Sequence, residues 1–153
     1  MDTRTTEGGV PWAAVTAEAP AFAERVRARF VANLHHVIGT VRTDGSPRLS
    51  GTEVAIGPNE VTLGMMPGSR KLADVRRDPR VEIHSAPLEA DLAHGDAKLT
   101  GWLLETTEPP TAPSVAGSFA LRITRVSLVR VADDQLVFTT WDPLRGQQEQ
   151  RRH

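Results

Sequence analysis

The segment Gly68-Ser69-Arg70-Lys71 carries the strongest chemical signal in the sequence, because it places two cations at the start of a predicted helix. Pro67 and Gly68 predict a turn, and Ser69 is a preferred helix-capping residue. The helix dipole disfavours positive charge at this end, so an external anion would compensate it. Backbone N–H groups, a hydroxyl, a guanidinium and an ammonium would then converge on a phosphate. The alternative is an exposed basic turn, and spacing alone leaves both interpretations open.

A second candidate lies in a predicted strand, where Ser50, Gly51 and Thr52 precede Glu53. Small polar residues pack poorly within a strand, and a glycine lets a ligand approach the backbone. A bend or bulge is the more common reason for such a glycine. Met65 and Met66 end the next predicted strand, just before the Ser-Arg-Lys turn. Methionine is an adaptable filler, so core packing is favoured for at least one of them.

Several kinds of chemistry are excluded by composition or by missing motifs. There is no cysteine and no tyrosine, which removes disulfides, thiolate metal sites and phenol catalysis. The histidines show no zinc-ligand spacing, so a metal site is not expected. The sequence contains neither a phosphate-binding loop of the Gly-x-x-x-x-Gly-Lys type nor a Gly-x-Ser-x-Gly nucleophile motif.

The composition is that of one globular domain. The chain has 153 residues, 39% of them hydrophobic and 24% charged, and its formal net charge is −1. This charge argues against binding to nucleic acid or to an anionic membrane surface. No apolar run is long enough to cross a bilayer, and the polar N-terminus shows no signal peptide. A cytoplasmic protein without a membrane partner is therefore expected.

The elements that would position these candidates are mostly strands. An apolar residue recurs every fourth position from Phe22 to Leu34, which predicts a helix capped by Thr16 and ending near Asn33. A short helix is predicted over residues 70–77, and Asp44-Gly45 predicts a hairpin with a primed turn. The predicted strands are 37–43, 48–56, 61–66, 81–85, 97–106, 119–132 and 136–141.

These elements predict a mainly β fold with short helices, in which six or seven antiparallel strands close most economically into a small barrel. Residues 1–15 are expected to form a flexible arm, residues 16–146 the barrel domain, and residues 147–153 a polar, mobile tail.

Four motifs follow one another along the chain: Gly39-Thr40-Val41, Asp44-Gly45-Ser46-Pro47-Arg48, Gly68-Ser69-Arg70-Lys71-Leu72 and Arg77-Asp78-Pro79-Arg80-Val81. Their order resembles that of the pyridoxamine 5'-phosphate oxidase-like, flavin-reductase-type split β-barrel family. The first two motifs resemble the family's first strand and hairpin, and the third and fourth resemble its basic turn and the start of its next strand. The resemblance covers about residues 22–146, including a tryptophan segment that begins at Trp141.

This resemblance implies a homodimer with two cofactor sites at the subunit interface. The implied cofactor is FMN, or alternatively the deazaflavin coenzyme F-420. Arg70 and Lys71 would hold its phosphate, and Trp141 and Arg145 would approach from the partner subunit. The full implied set of cofactor-binding residues is Arg48, Ser50, Gly51, Thr52, Glu53, Gly64, Met65, Ser69, Arg70, Lys71, Trp141 and Arg145.

The implied function is an oxidoreductase that transfers hydride to or from a small organic substrate. Vitamin B6 phosphate is not the expected substrate. The family's oxidases of that substrate carry a C-terminal segment with further arginine and histidine for its phosphate, whereas here Trp141 is followed by Asp142-Pro143-Leu144-Arg145-Gly146 and a polar tail, and no tyrosine is available. One alternative is a non-catalytic flavin or haem-binding protein on the same barrel, with His84 or His36 as haem ligand. A third hypothesis is an interaction protein with a vestigial site.

Overall fold

The computed structural model describes residues 8–88, 90–106 and 115–153, and the described chain begins with two helices rather than one. Helix α1 is Trp12–Glu18 and helix α2 is Pro20–Val31. They are separated at Ala19, whose φ is −138°, because a residue before proline is disfavoured in the helical region. The predicted Thr16 cap is therefore wrong: Thr16 lies inside α1, and its hydroxyl donates to the carbonyl of Ala13 at 3.0 Å.

The apolar stripe of the predicted helix is confirmed over three of its four positions. Phe22, Val26 and Phe30 are buried on one side of α2. Leu34 is 61% exposed, because the helix ends before it and the chain turns into the first strand.

The described residues form nine strands and one further helix. Helix α3 (Arg70–Arg77) lies between the fourth and fifth strands. The strands are β1 (His35–Val41), β2 (Pro47–Glu53), β3 (Ala55–Ile56), β4 (Val61–Met65), β5 (Arg80–His84), β6 (Asp96–Glu105), β7 (Gly117–Ala132), β8 (Gln135–Asp142) and β9 (Gly146–Arg152). The predicted count of six or seven is too low, because the predicted strand 48–56 divides at Val54 and β9 was not expected.

The strands form one antiparallel sheet that curls into a split barrel. The order is β2-β1-β5-β6-β7-β4-β3, with β8 paired to β7 and β9 paired to β8. β2 and β3 stand at opposite ends of this order, yet only Val54 separates them in the chain, so the sheet must curl back on itself. The predicted mainly β, antiparallel split-barrel fold is confirmed.

The core fills the inside of the curled sheet, with α1 and α2 packed against it. Alternate residues of the strands point inward, as the period of two requires. The largest fully buried side chains include Trp12, Phe30, Phe119, Leu121 and Trp141. No helix in the described ranges has both the length and the apolar character needed to cross a bilayer.

The predicted flexible arm is corrected over its described part. Residues 1–7 lie outside the described residues, but Val10 pairs with Ile123 of β7 through hydrogen bonds of 3.0 and 2.7 Å. Trp12 and Val15 are buried in the core. Their apolar side chains gain more from burial than the chain loses by being ordered.

The predicted mobile tail is also corrected, because residues 147–152 belong to β9. This strand pairs with β8 from Asp142↔Gly146 to Leu136↔Arg152. The turn is fixed by Asp142, whose side chain accepts hydrogen bonds from the backbone N–H groups of Leu144 and Arg145. Backbone pairing sets this strand, so its polar side chains gave no alternating pattern to recognise.

The predicted hairpin at Asp44-Gly45 forms, with a turn of a different type. The turn closes with a hydrogen bond from the Gly45 N–H to the Arg42 carbonyl, so its central residues are Thr43 and Asp44. Neither has a positive φ, which a primed turn needs at its first central position; only Gly45, after them, has one, of 86°. The primed geometry occurs instead between β7 and β8, where Asp133 and Asp134 have φ angles of 52° and 59°.

Candidate functional site

The split in the barrel lies between β2 and β4. The two strands approach each other without being hydrogen-bonded neighbours. β3 pairs with β4 only at Val61 and Thr62, so β4 beyond Thr62 has no strand partner on that edge within the described ranges. β2 is likewise unpaired on the edge away from β1. Unpaired strand edges present backbone donors and acceptors, which can be satisfied by a ligand with a polar rim.

A cavity of about 390 Å³ lies at this split. Its volume falls in the lower range for small-molecule sites. Its walls come from the end of β2, the end of β4, the start of β1 and the first turn of α3. The lining residues are His35, Gly51, Thr52, Glu53, Gly64, Met65, Met66, Lys71 and Val115.

The first turn of α3 is built as the sequence predicts. Gly68 has a φ of 70°, which only glycine adopts readily, and it directs the chain into the helix. Ser69 is the N-cap, and its hydroxyl accepts a 3.4 Å hydrogen bond from the backbone N–H of Leu72. The helix then begins at Arg70, so both cations lie in its first turn.

Lys71 is the charged group that the fold directs into the cavity. Its ammonium donates a 2.5 Å hydrogen bond to the carbonyl oxygen of Gly51 on β2. Burial lowers the pKa of Lys71, because desolvation disfavours the ammonium form. Within the described residues no carboxylate pairs with this ammonium. An anion entering the cavity would supply the missing counter-charge.

Arg70 lies beside Lys71 and is exposed. It forms no hydrogen bond or ion pair with any residue that the structure describes. Its guanidinium is therefore available to an anion at the helix terminus, in addition to the free backbone N–H groups of the first turn.

Two glycines, Gly51 and Gly64, lie in the wall of the cavity. A Cβ placed on Gly51 would meet no atom within 4 Å, so any side chain there would project into open space. A Cβ on Gly64 would lie 3.0 Å from Cγ1 of Val115, which already covers that position. The small residues predicted to make room for a ligand therefore do so at Gly51, whereas Gly64 makes room for Val115.

Arg48 and Ser50 do not line the cavity, although the sequence predicted them as cofactor-binding residues. Arg48 donates through Nε to Oδ2 of Asp74 in α3, at 2.7 Å. Asp74 is buried and also accepts from the hydroxyl of Thr40 at 2.8 Å and from Arg77 at 3.3 Å. This cluster fastens α3 to β1 and β2, and so it holds the first turn of the helix beside the cavity.

The predicted role of Trp141 is corrected, whereas the predicted approach of Arg145 to the partner's cofactor stays a prediction. Trp141 is only 1% exposed, and its indole N–H donates to Glu18 of α1 at 3.1 Å, so it is a core residue of its own barrel. Arg145 is exposed in the turn between β8 and β9, where it pairs with Asp142 at 3.0 Å. Neither residue lines the cavity at the split.

Sequence reasoning missed three lining residues: His35, Met66 and Val115. His35 is opposite Glu53 in the β1–β2 register, so the hairpin register would have placed it at the cavity. Val115 follows a segment that the structure does not describe, and no local pattern in the sequence connects it with β4.

His36 on β1, one of the two histidines proposed as haem ligands, already uses its ring nitrogens in hydrogen bonds within the barrel. His36 is 2% exposed; its Nε2 lies 2.8 Å from the carbonyl oxygen of Phe30, and its Nδ1 accepts from the backbone N–H of Ala86 at 2.9 Å. Both ring nitrogens are therefore used, which removes His36 as an axial ligand. No group of three or more potential metal ligands occurs within the described ranges.

Solved structures share this fold at low sequence identity. PhzG from Burkholderia lata 383, in complex with tetrahydrophenazine-1-carboxylic acid, gives a TM-score of 0.62 at 10% identity, over 88% of this chain and 87% of that chain. A pyridoxamine 5'-phosphate oxidase-related, FMN binding protein from Nostoc punctiforme gives 0.62 at 10% identity, over 88% and 96%. An F420 reductase gives 0.50 at 17% identity, over 61% and 89%.

No protein-family model and no curated protein matches the sequence. At these identities, the structural likeness is evidence for the fold alone. The chain has the split β-barrel fold of the pyridoxamine 5'-phosphate oxidase-like FMN-binding proteins, as the order of motifs predicted.

Proposed function

We propose that the protein binds FMN, or the deazaflavin F-420 as the alternative, at the split of its barrel and acts as an oxidoreductase on a small organic substrate. The observation that carries this proposal is Lys71, a partly buried ammonium at the cavity that pairs with no carboxylate among the described residues, although Glu53 also lines the cavity. A cofactor phosphate would neutralise it.

The phosphate would be held at the first turn of α3. Lys71 and Arg70 supply two charged donors, and the backbone N–H groups of the helix terminus point the same way. Ser69 fixes the helix start by accepting the hydrogen bond from the Leu72 N–H, which leaves its hydroxyl hydrogen to donate to a phosphate oxygen.

The planar ring would lie between β2 and β4. Gly51 leaves room on β2, and Met65 supplies an adaptable apolar wall from β4. The unpaired edges of both strands offer backbone N–H and C=O groups to the polar rim of a flavin. When bound, the ring supplies hydride transfer, whereas the chain supplies binding, orientation and electrostatics.

A homodimer is proposed on the outer face of β1, β2, β5 and β6. This face encloses a largely apolar hollow of about 850 Å³, and Leu49 and Val37 on it are 75% and 37% exposed. Burying such apolar surface against a second copy is favourable. Analytical ultracentrifugation tests this: Leu49→Asp should convert the dimer to a folded monomer, and a wild-type monomer would contradict the proposal.

The cofactor is tested by mass spectrometry of the molecule that copurifies, followed by titration of the stripped protein with FMN and with F-420. We expect a dissociation constant in the micromolar range or tighter for one of them. Reduction of the bound cofactor and its reoxidation by organic acceptors then distinguish an enzyme from a carrier. A stripped protein that binds neither molecule would overturn the proposal.

A further inference from the structure

A second hollow, of about 960 Å³, lies on the outer face of β6, β7, β8 and β9. A row of four polar residues crosses its floor, one from each strand. Lys98 is paired with Ser127, Ser127 with Thr140, and Thr140 with Gln148. Directly opposed residues on neighbouring strands stand side by side, so the row extends for about 14 Å across the face. We call these four residues the polar row.

The polar row is rich in unused donors. None of its four side chains forms a hydrogen bond or ion pair with a described residue. Arg125 is paired with Thr100, two positions along β6 from Lys98, and it lines the same hollow. Arg125 is therefore diagonal to Lys98 across the β6–β7 pair, a separation that two long side chains can span to reach one small anion.

The carboxylates in the hollow do not neutralise these two cations. Asp142 accepts from the backbone of Leu144 and Arg145 and from the Arg145 side chain at 3.0 Å. These hydrogen bonds lower the pKa of Asp142, led by the bond from the Arg145 backbone. Glu149 is paired with Arg151 at 3.0 Å. Lys98 and Arg125 are thus left as an uncompensated pair beside two hydroxyls.

An aromatic side chain lies in the same hollow, on the opposite side of the polar row from Arg125. Phe138 is adjacent to Thr140 on the same face of β8, and the guanidinium of Arg152 stands 5.1 Å from the centre of its ring. A flat heterocycle attached to an anion can pack against such a surface, because aromatic rings and guanidinium planes both stack.

We propose that this hollow binds a phosphorylated small molecule with a planar heterocycle, such as a nucleoside monophosphate. Lys98 and Arg125 hold the phosphate, with Ser127 and Thr140 donating to its oxygens, and the heterocycle packs beside Phe138. Charge-assisted hydrogen bonds of this kind are the strong ones, and two cations with hydroxyl donors match a phosphate monoester. This site is separate from the split of the barrel, and its existence does not depend on flavin binding. Lys98 also borders the apolar hollow of the proposed dimer face, so the site lies at the edge of that face.

The test is isothermal titration calorimetry of the full chain, in its native assembly, with AMP, inorganic phosphate and adenosine at low ionic strength. We expect AMP to bind more tightly than inorganic phosphate, and adenosine to show no measurable binding. Lys98→Gln/Arg125→Gln should weaken AMP binding about tenfold or more. Arg27→Gln/Arg42→Gln removes the same charge from exposed positions elsewhere and should leave the affinity unchanged.

Two further measurements separate this site from the flavin site. Ser127→Ala/Thr140→Val should weaken AMP binding without a change of net charge, and the backbone amide signals of Ser127 and Thr140 should shift when AMP is added. Lys71→Met should leave AMP binding intact. If AMP does not bind, or if Lys71→Met abolishes its binding while Lys98→Gln/Arg125→Gln does not, the proposal is overturned. Neither result bears on whether FMN binds at the split.

Discussion

The ammonium of Lys71 and the carbonyl oxygen of Gly51 are joined by a 2.5 Å hydrogen bond that links the first turn of α3 to the free edge of β2. Lys71 is partly desolvated, yet the hydrogen-bond partner of its ammonium among the described residues is a neutral carbonyl. The contact therefore keeps the cation directed into the cavity while leaving most of its charge uncompensated.

Replacing this cation should weaken cofactor binding without unfolding the barrel. Lys71→Met keeps the length of the side chain and removes the charge, so the affinity for FMN should fall about tenfold or more. Fluorescence titration of the stripped protein measures the change. Arg42→Met removes one cation from the exposed β1–β2 turn, away from the cavity, and should leave the affinity as it is. Equal FMN affinities for Lys71→Met and wild type would contradict the proposal that Lys71 binds the cofactor phosphate.

The same contact predicts a pH dependence. Burial lowers the pKa of Lys71, and a bound phosphate would raise it again by favouring the ammonium. FMN should therefore bind less tightly as the pH rises through the lysine's pKa in the free protein. Titrations at increasing alkaline pH should show this decline in wild type, and Lys71→Met should show a flatter profile.

Filling the cavity from β2 gives a test that leaves the charges untouched. Gly51→Val adds a β-branched side chain where no atom lies within 4 Å, so the strand accommodates it and stability should stay equal or rise. The added methyl groups occupy space that the ring would take, and FMN binding should be lost. Circular dichroism and thermal melting check the fold. A Gly51→Val protein that binds FMN normally would place the ring elsewhere.

The buried carboxylate of Asp74 should make the fold sensitive to acid. Burial opposes its ionisation, but hydrogen bonds from Arg48, Thr40 and Arg77 outweigh burial and lower its pKa. A lowered pKa in the folded state contributes stability that is present above the unfolded pKa. This contribution is lost as the pH falls through the folded pKa. Asp74→Asn should therefore lose about 3 kcal/mol at neutral pH and much less at about pH 3.

Urea unfolding at the two pH values measures this difference. Asp78→Asn is the matched control, because Asp78 pairs with Arg80 at 2.7 Å on the surface, where an ion pair contributes about 1 kcal/mol or less. An Asp74→Asn protein with the same acid profile as wild type would show that the cluster with Arg48 does not stabilise the fold.

His36 should be neutral, with its proton on Nε2. Nδ1 accepts from the Ala86 backbone N–H, so Nε2 must carry the proton that is donated to the Phe30 carbonyl. Nitrogen NMR of the imidazole reports this tautomer directly. His36→Ala should cost about 2–4 kcal/mol, because it leaves two buried backbone groups unpaired and removes a ring that packs on Phe30. His36→Gln, which can both donate and accept, should recover part of the loss.

Local patterns predicted the elements whose ends are set by local chemistry. The Ser69 cap, the start of α3 and the hairpin at Gly45 depend on residues within four positions of each other, and all three were confirmed. The burial of Phe22 and Val26 follows from the period of the helix in the same way. Fold class followed because consecutive antiparallel strands without long connections admit few arrangements.

What the sequence could not supply was contact between distant segments. Trp141 was assigned to a partner's site because nothing local showed that its indole meets Glu18 of α1. Arg48 was assigned to the cofactor because its partner Asp74 lies 26 positions away in α3. β9 was missed because its pairing with β8 is made by the backbone, which leaves no mark on polar side chains.

β7 connects the two candidate sites mechanically. β4 is attached to residues 117–120 of this strand and β8 to residues 126–132, with β6 running along its other edge. One wall of the cavity at the split and the floor of the second hollow therefore both depend on the pairing of β7. A substitution that disrupts the middle of β7 should distort both at once.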